Sequence, residues 1–161
     1  MIFGNPSKFA VEFELDENYC GRWMYGKFCY WIYNMRIGKY DEGESLRDVL
    51  ASMPWLIWDN GNRQHPELFA MGTIDLYKKI DNALYGEGDT EDETWARFEI
   101  KILVGIFDEW KIYLVENDEK TRIITENLGR IREYELHPKE FDDAIRAAYD
   151  MLNEIYDREE D

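Results

Sequence analysis

Residues 9–15 read FAVEFEL and residues 27–33 read KFCYWIY, and these two stretches decide the fold that we expect. In the former, apolar and polar side chains alternate, which is the pattern of a strand with one buried and one solvated face. In the latter, both alternating sets are apolar or aromatic, as in a strand at the centre of a sheet. The connection between them has hairpin length, so an antiparallel pair is predicted.

The middle of the chain is predicted to be mainly helical. Ser45 is a candidate N-cap for a helix that Pro54 should interrupt, with residues 55–58 forming a second short helix. Thr73 can cap a further helix, for which Gly86 supplies the C-terminal stop.

The remainder of the chain is predicted to be strands followed by one long helix. An apolar stripe at steps of three and four residues begins after Pro138 and is typical of a helix that lies against a sheet. The predicted strands before it are residues 98–102, 112–115, 122–126 and 131–136. This order predicts an α+β fold with a mostly antiparallel sheet of about five to seven strands and three to four helices.

Length and composition favour one domain that spans residues 1–161. Of these 161 residues, 45% are hydrophobic and 16% aromatic. A chain of this size buries about 70% of the surface that its unfolded form exposes, and this composition supplies the apolar material. A chain that is disordered throughout is therefore excluded.

The net charge is −16, from 35 acidic and 19 basic residues. Such a field repels nucleic acid and anionic membranes, so neither is an expected partner. The N-terminus lacks a signal-peptide pattern, no apolar run approaches the length of a membrane span, and two cysteines are too few for a disulfide framework. These features predict a cytoplasmic protein.

Sequence motifs for catalysis or cofactor binding are missing. The two histidines and two cysteines have no metal-ligand spacing, the glycines form no phosphate-binding loop, and no serine lies in a nucleophile elbow. Paired carboxylates are abundant because acidic residues are abundant, so a carboxylate-dependent hydrolase stays only as a minor alternative. We expect no enzymatic activity, no cofactor and no metal.

Two segments are candidates for contact with a partner protein. The acidic segment contains Glu87, Asp89, Glu91, Asp92 and Glu93, and it is either a solvated loop or a contact surface. The other candidate is Trp58 with Asp59 and Arg63, whose plainer interpretation is structural: Asx residues cap a helix end and the arginine pairs with a carboxylate.

Several short motifs occur from the start of the chain to its last third. They are MIFGNP at 1–6 with KFA at 8–10, GKYD at 38–41, SLRD at 45–48, DNGNR at 59–63, ARF at 96–98, FD at 107–108 and WKI at 110–112. They are structural signatures with no catalytic motif among them. In this combination and order they resemble the immunity protein 42 family of bacterial polymorphic-toxin systems.

The resemblance implies a small cytoplasmic antidote that binds the C-terminal effector domain of a cognate toxin and has no activity of its own. Charge supports it independently, because a protein of −16 can be steered into a basic, phosphate-binding cleft such as that of a nuclease. We expect the acidic segment, with Trp58, Asp59 and Arg63, to face the toxin. The alternative is an acidic adaptor or chaperone-like module that binds many basic proteins.

Overall fold

A computed structural model describes residues 1–87 and 93–159 of the chain. Contacts divide the protein into two compact units. The first unit comprises Met1–Trp58, Ile102–Glu109 and Lys139–Asp161, and the second comprises Asp59–Lys101 and Trp110–Pro138.

A five-stranded antiparallel sheet and two long helices form the first unit. The elements are β1 (Ile2–Asn5), β2 (Phe9–Leu15), β3 (Tyr25–Ile32), β4 (Met35–Ile37), β5 (Glu44–Ser45), α1 (Leu46–Trp58) and α4 (Glu140–Arg158). The order along the sheet is β1-β2-β3-β4, and β5 pairs with the opposite end of β3.

The helices α1 and α4 pack against each other and cover one face of this sheet. The period-two pattern of FAVEFEL places Phe9 and Phe13 on that face, where both are buried. The ring of Phe9 meets the ring of Phe141 from α4 edge to face at 5.0 Å between centroids. The opposite face of the sheet carries Glu12, paired in register with Cys29 of β3.

Close approach of β1 to α4 depends on Gly4. Its φ of +97° is in the left-handed region, and a Cβ added there would lie 2.5 Å from the Phe9 carbonyl oxygen and 3.1 Å from the Ala144 Cβ. Only glycine therefore fits this position without movement of the backbone.

The second unit is a three-stranded antiparallel meander with two helices. Its elements are α2 (Pro66–Phe69), α3 (Thr73–Tyr85), β6 (Trp110–Glu116), β7 (Thr121–Asn127) and β8 (Arg130–Leu136). The core of this unit is a cluster of buried apolar side chains contributed by both helices and the sheet. They are Leu68, Leu76, Ile80, Phe98, Tyr113, Val115 and Ile124.

The α+β class, the antiparallel pairing and the long C-terminal helix are confirmed. The described residues hold eight strands, one more than the upper end of our expectation, and they are divided between two sheets of five and three strands. The prediction of a break at Pro54 is wrong, because α1 continues through it to Trp58. Met53 before the proline and Leu56 after it are both buried in the core, so packing holds the helix together on both sides of Pro54.

The strand predicted at residues 98–102 is also wrong. The segment leaves a 3-10 helix (Glu93–Phe98) and makes one isolated bridge, between Glu99 and Tyr113. Every second side chain of the segment, Phe98, Ile100 and Ile102, is buried. The alternating apolar pattern therefore reflects burial on one side of the segment, which does not pair continuously with a neighbouring strand. The described helices include none with the length and apolarity needed to cross a membrane.

Candidate partner-binding site

The acidic segment is only partly described. Glu87 is exposed, two residues after the end of α3. Glu93 begins the 3-10 helix that runs to Phe98. Asp89, Glu91 and Asp92, together with the side chain of Glu93, lie outside the described residues.

Trp58 lies at the surface of the first unit, as the last residue of α1. Its side chain is 65% exposed, and that of Trp55, one turn earlier, is 68% exposed. The two indole rings meet edge to face with centroids 4.9 Å apart. Asp59 is the next residue and belongs to the second unit, where its carbonyl accepts a hydrogen bond from the Asn62 N–H at 2.9 Å.

Arg63 is a correction to the predicted contact set, because its exposure is 0%. The Nε–H donates to the Arg97 carbonyl at 2.8 Å. The Arg63 carbonyl in turn accepts from the Glu116 N–H at 3.0 Å, beside a parallel bridge between Gln64 and Glu116. This arginine ties the segment before α2 to β6, and a partner cannot reach its guanidinium in this conformation.

Trp23 and Tyr25 are surface residues that no pattern in the sequence identifies as contact residues. Their rings stack nearly parallel with centroids 6.1 Å apart, and their exposures are 47% and 42%. The guanidinium of Arg47, in the first turn of α1, lies 3.6 Å from the centroid of Trp23.

A hydrogen-bonded network covers the open face of the five-stranded sheet. The Glu12 carboxylate accepts from Trp31 Nε1 at 2.7 Å, from Arg36 Nη2 at 3.3 Å and from the Tyr40 hydroxyl at 3.2 Å. The Arg36 guanidinium lies over the rings of Trp31 and Tyr40, 4.9 and 4.1 Å from their centroids. Burial alone would raise the pKa of Glu12, but these partners together hold that pKa below its usual value.

A groove of about 840 Å³ lies along α3 in the second unit. The Asp81 carboxylate in it accepts from Lys111 Nζ at 2.7 Å and from the Tyr113 hydroxyl at 2.8 Å. Burial, and after it the hydrogen bond to Asp81, raises the pKa of Tyr113. The Tyr113 phenol therefore stays neutral and donates to Asp81, and Lys111 and Asp81 form an ion pair that links β6 to α3.

No group of three or more His, Cys, Asp or Glu side chains within residues 1–87 and 93–159 is arranged to hold a metal ion. The described surface of the first unit instead offers exposed aromatic side chains, and that of the second unit offers Glu87 and Asp59. These are groups suited to contact with another protein.

The comparison with solved structures identified the same fold in another protein. A crystal structure of CdiI from Burkholderia dolosa superposes with a TM-score of 0.78 at 20% sequence identity, and the match covers 94% of this chain and 99% of that chain. A comparison with curated proteins found no match.

The comparison with protein families agrees with the motifs in the sequence. The model described as immunity protein 42 matches residues 1–151. The match includes both units and the first turns of α4, so it covers the structural signatures from the first strand to the last helix. This chain therefore belongs to the immunity protein 42 family.

Proposed function

We propose that this immunity protein neutralises its cognate toxin in the bacterial cytoplasm by covering a basic active or substrate-binding cleft, without chemistry of its own. The observation that carries the proposal is the family match over residues 1–151, together with the net charge of −16. A nuclease is the toxin class that fits, because a cleft that binds phosphates attracts a strongly acidic protein.

Charge acts mainly on the rate of capture. Long-range attraction between an acidic protein and a basic cleft raises the association rate, and salt screens it over about 8 Å at physiological ionic strength. Dissociation depends instead on a few desolvated anchors near the centre of the interface. The function therefore needs both an acidic surface and exposed aromatic or arginine side chains.

We propose that the acidic segment, residues 87–93, supplies the steering surface, with Trp58 and Asp59 as further contacts. Support comes from the exposure of Glu87 and Trp58. Arg63 is not part of this proposal because it is buried.

The function is tested with the toxin domain encoded next to this gene. Co-expression of the chain should protect cells from the toxin. A pull-down at low salt should recover a one-to-one complex. The association rate, measured in a separate kinetic experiment, should fall as the salt concentration rises. Failure to form the complex contradicts the proposal. Broad, weak and salt-sensitive binding to unrelated basic proteins would favour the acidic adaptor.

The role of the acidic segment is tested by reversing its charge. The variant Glu91→Lys, Asp92→Lys, Glu93→Lys should slow association about tenfold or more, because steering changes on-rates by factors of roughly 10 to 1,000. The control changes the net charge equally on exposed positions of α4, Asp150→Lys, Glu154→Lys, Asp157→Lys. Equal effects of both variants would show that net charge acts without a local surface.

A further inference from the structure

One side of α1 carries exposed aromatic side chains where a solvent-facing helix normally carries polar ones. Positions 47, 51, 55 and 58 follow steps of four, four and three residues, so Arg47, Ala51, Trp55 and Trp58 lie along one side of the helix. The opposite side is the buried one and contributes Leu46, Val49, Leu50, Met53 and Leu56 to the core.

The same surface continues beyond the N-terminus of α1. Arg47 stacks on Trp23, and Trp23 stacks on Tyr25. Ser45 holds this end in place, because its hydroxyl donates to the Trp23 carbonyl at 3.2 Å and accepts from the Asp48 N–H at 3.3 Å. The surface is thus fixed by the helix cap and by ring stacking.

We propose that this surface is where the toxin docks, and that the part of the toxin that contacts it is cationic. We name the surface the α1 aromatic stripe, and it consists of Trp23, Tyr25, Arg47, Ala51, Trp55 and Trp58. The proposal rests on the function proposed above and specifies the site of that function, and it places the binding anchors on α1 instead of the acidic segment.

Composition and area support this assignment. Tryptophan, tyrosine and arginine are the residues most enriched among interface hot spots, and the stripe holds five of them. At up to about 250 Å² per aromatic side chain, the exposed fractions of Trp23, Trp55 and Trp58 amount to roughly 450 Å², more than half of the roughly 800 Å² that one partner contributes to a standard interface. A patch of this size on a single protein often has a function.

Charge selects the occupant. Asp16 and Asp48 are exposed beside the stripe: the Asp16 N–H donates to the Tyr25 carbonyl at 3.0 Å, and Asp48 pairs with Arg47 at 3.3 Å and so offsets its charge. A second copy of this chain would bring another −16 to the same surface and be repelled. A toxin surface with lysine or arginine side chains gains cation–π contacts with the exposed indole rings and ion pairs with the surrounding carboxylates.

The decisive variant is Trp55→Ala, Trp58→Ala, measured against the toxin domain encoded next to this gene. Truncating one hot-spot residue costs about 2 kcal/mol or more, which is about 30-fold in the dissociation constant, so the double variant should raise that constant by at least this factor. Trp23→Ala should raise it as well. The control is Leu128→Ala at the β7–β8 turn, which removes a side chain that is 82% exposed in the second unit and should leave binding unchanged. Circular dichroism and thermal melts should match those of the unmodified chain, because the two rings are exposed.

A pair of variants at one position tests the charge of the partner. Trp58→Glu and Trp58→Lys both remove the indole, so they differ only in the sign that they present. A cationic toxin surface should bind the glutamate variant more tightly and faster than the lysine variant, with a difference that shrinks at high salt. The reverse order would overturn the assignment of a cationic contact.

The outcomes separate this inference from the function on which it rests. If the unmodified chain binds and protects while the Trp55→Ala, Trp58→Ala variant binds equally well, the stripe is not the docking surface and the immunity function stands. If the unmodified chain neither binds nor protects, both proposals fall. If sedimentation shows a dimer that the double variant dissociates, a second copy occupies the stripe and the inference is wrong.

Discussion

Glu12 is a carboxylate whose partners outweigh the cost of its burial. Burial raises its pKa, whereas hydrogen bonds from Trp31 and Tyr40 and the charge of Arg36 lower it, and the net effect is a pKa below the ordinary 4.5. A carboxyl group with a lowered folded-state pKa stabilises the fold above its unfolded pKa. That contribution is lost as pH falls through the folded-state pKa.

We predict that Glu12→Gln destabilises the protein by about 1 to 3 kcal/mol at pH 7, because the amide cannot accept charge-assisted hydrogen bonds from all three partners. The difference in the free energy of unfolding between the variant and the unmodified chain should become smaller as the pH is lowered below about 4.5. Urea unfolding at pH 7 and at pH 3.5 measures both quantities. Glu17→Gln, at an exposed position, should stay within about 0.5 kcal/mol, and a gap at Glu12 that is independent of pH would contradict the role of its charge.

Arg63 marks the limit of residue-scale prediction from sequence. The polar cluster DNGNR looks like surface, and arginine is rarely buried. Only the three-dimensional structure reveals that the Arg97 carbonyl accepts from its side chain while the Glu116 N–H donates to its carbonyl. These are contacts across 34 and 53 positions of sequence, which no local pattern encodes.

At the scale of elements, α1 is a helix that contains a proline in its interior. Pro54 has no N–H to donate to the Leu50 carbonyl one turn earlier. The helix continues because its apolar side is buried on both sides of the proline. Packing of the whole helix therefore offsets the local penalty, and α1 is longer than the sequence indicates.

We predict that Pro54→Ala raises the free energy of unfolding by about 1 to 3 kcal/mol, since it restores a backbone hydrogen bond and a good helix former. Pro66→Ala is the matched comparison: Pro66 occupies the first turn of α2, where no intrahelical N–H is lost, so its change should be small. Thermal and urea unfolding of the two variants decide the matter. A loss of stability in Pro54→Ala would indicate that the proline is needed for the course of α1.

The elements with clear periodicity were predictable, and those fixed by distant partners were not. FAVEFEL alternates over seven residues and α4 has an apolar side over five turns, so both are confirmed. Residues 98–102 alternate as well but have one isolated bridge as their pairing. The alternating pattern predicts which side of a segment is buried, whereas a strand also needs a neighbouring strand paired in register.

At the scale of the whole molecule, the chain passes between the two units four times, at residues 58–59, 101–102, 109–110 and 138–139. Neither unit is a continuous segment. Separate unfolding of one unit would therefore leave its pieces tethered at several points to the other. On this ground we propose that the two units behave as one domain.

We predict a single cooperative unfolding transition. Calorimetric and van't Hoff enthalpies should agree, and near-UV and far-UV circular dichroism should give the same midpoint. Trp23 and Trp31 lie in the first unit and Trp95 and Trp110 in the second, so the near-UV signal reports on both. Two resolved transitions would establish the units as separate domains.

The position of α4 in the chain bears on when protection against the toxin can begin. This helix packs on β1 and β2, yet among the described elements it comes last along the chain. During synthesis the hydrophobic face of β1 and β2 stays uncovered until α4 has been made. The strands β6, β7 and β8 are neighbours in sequence and can pair earlier. Chains that end before α4 would thus lack a finished first unit, and we expect them to give no protection against the toxin.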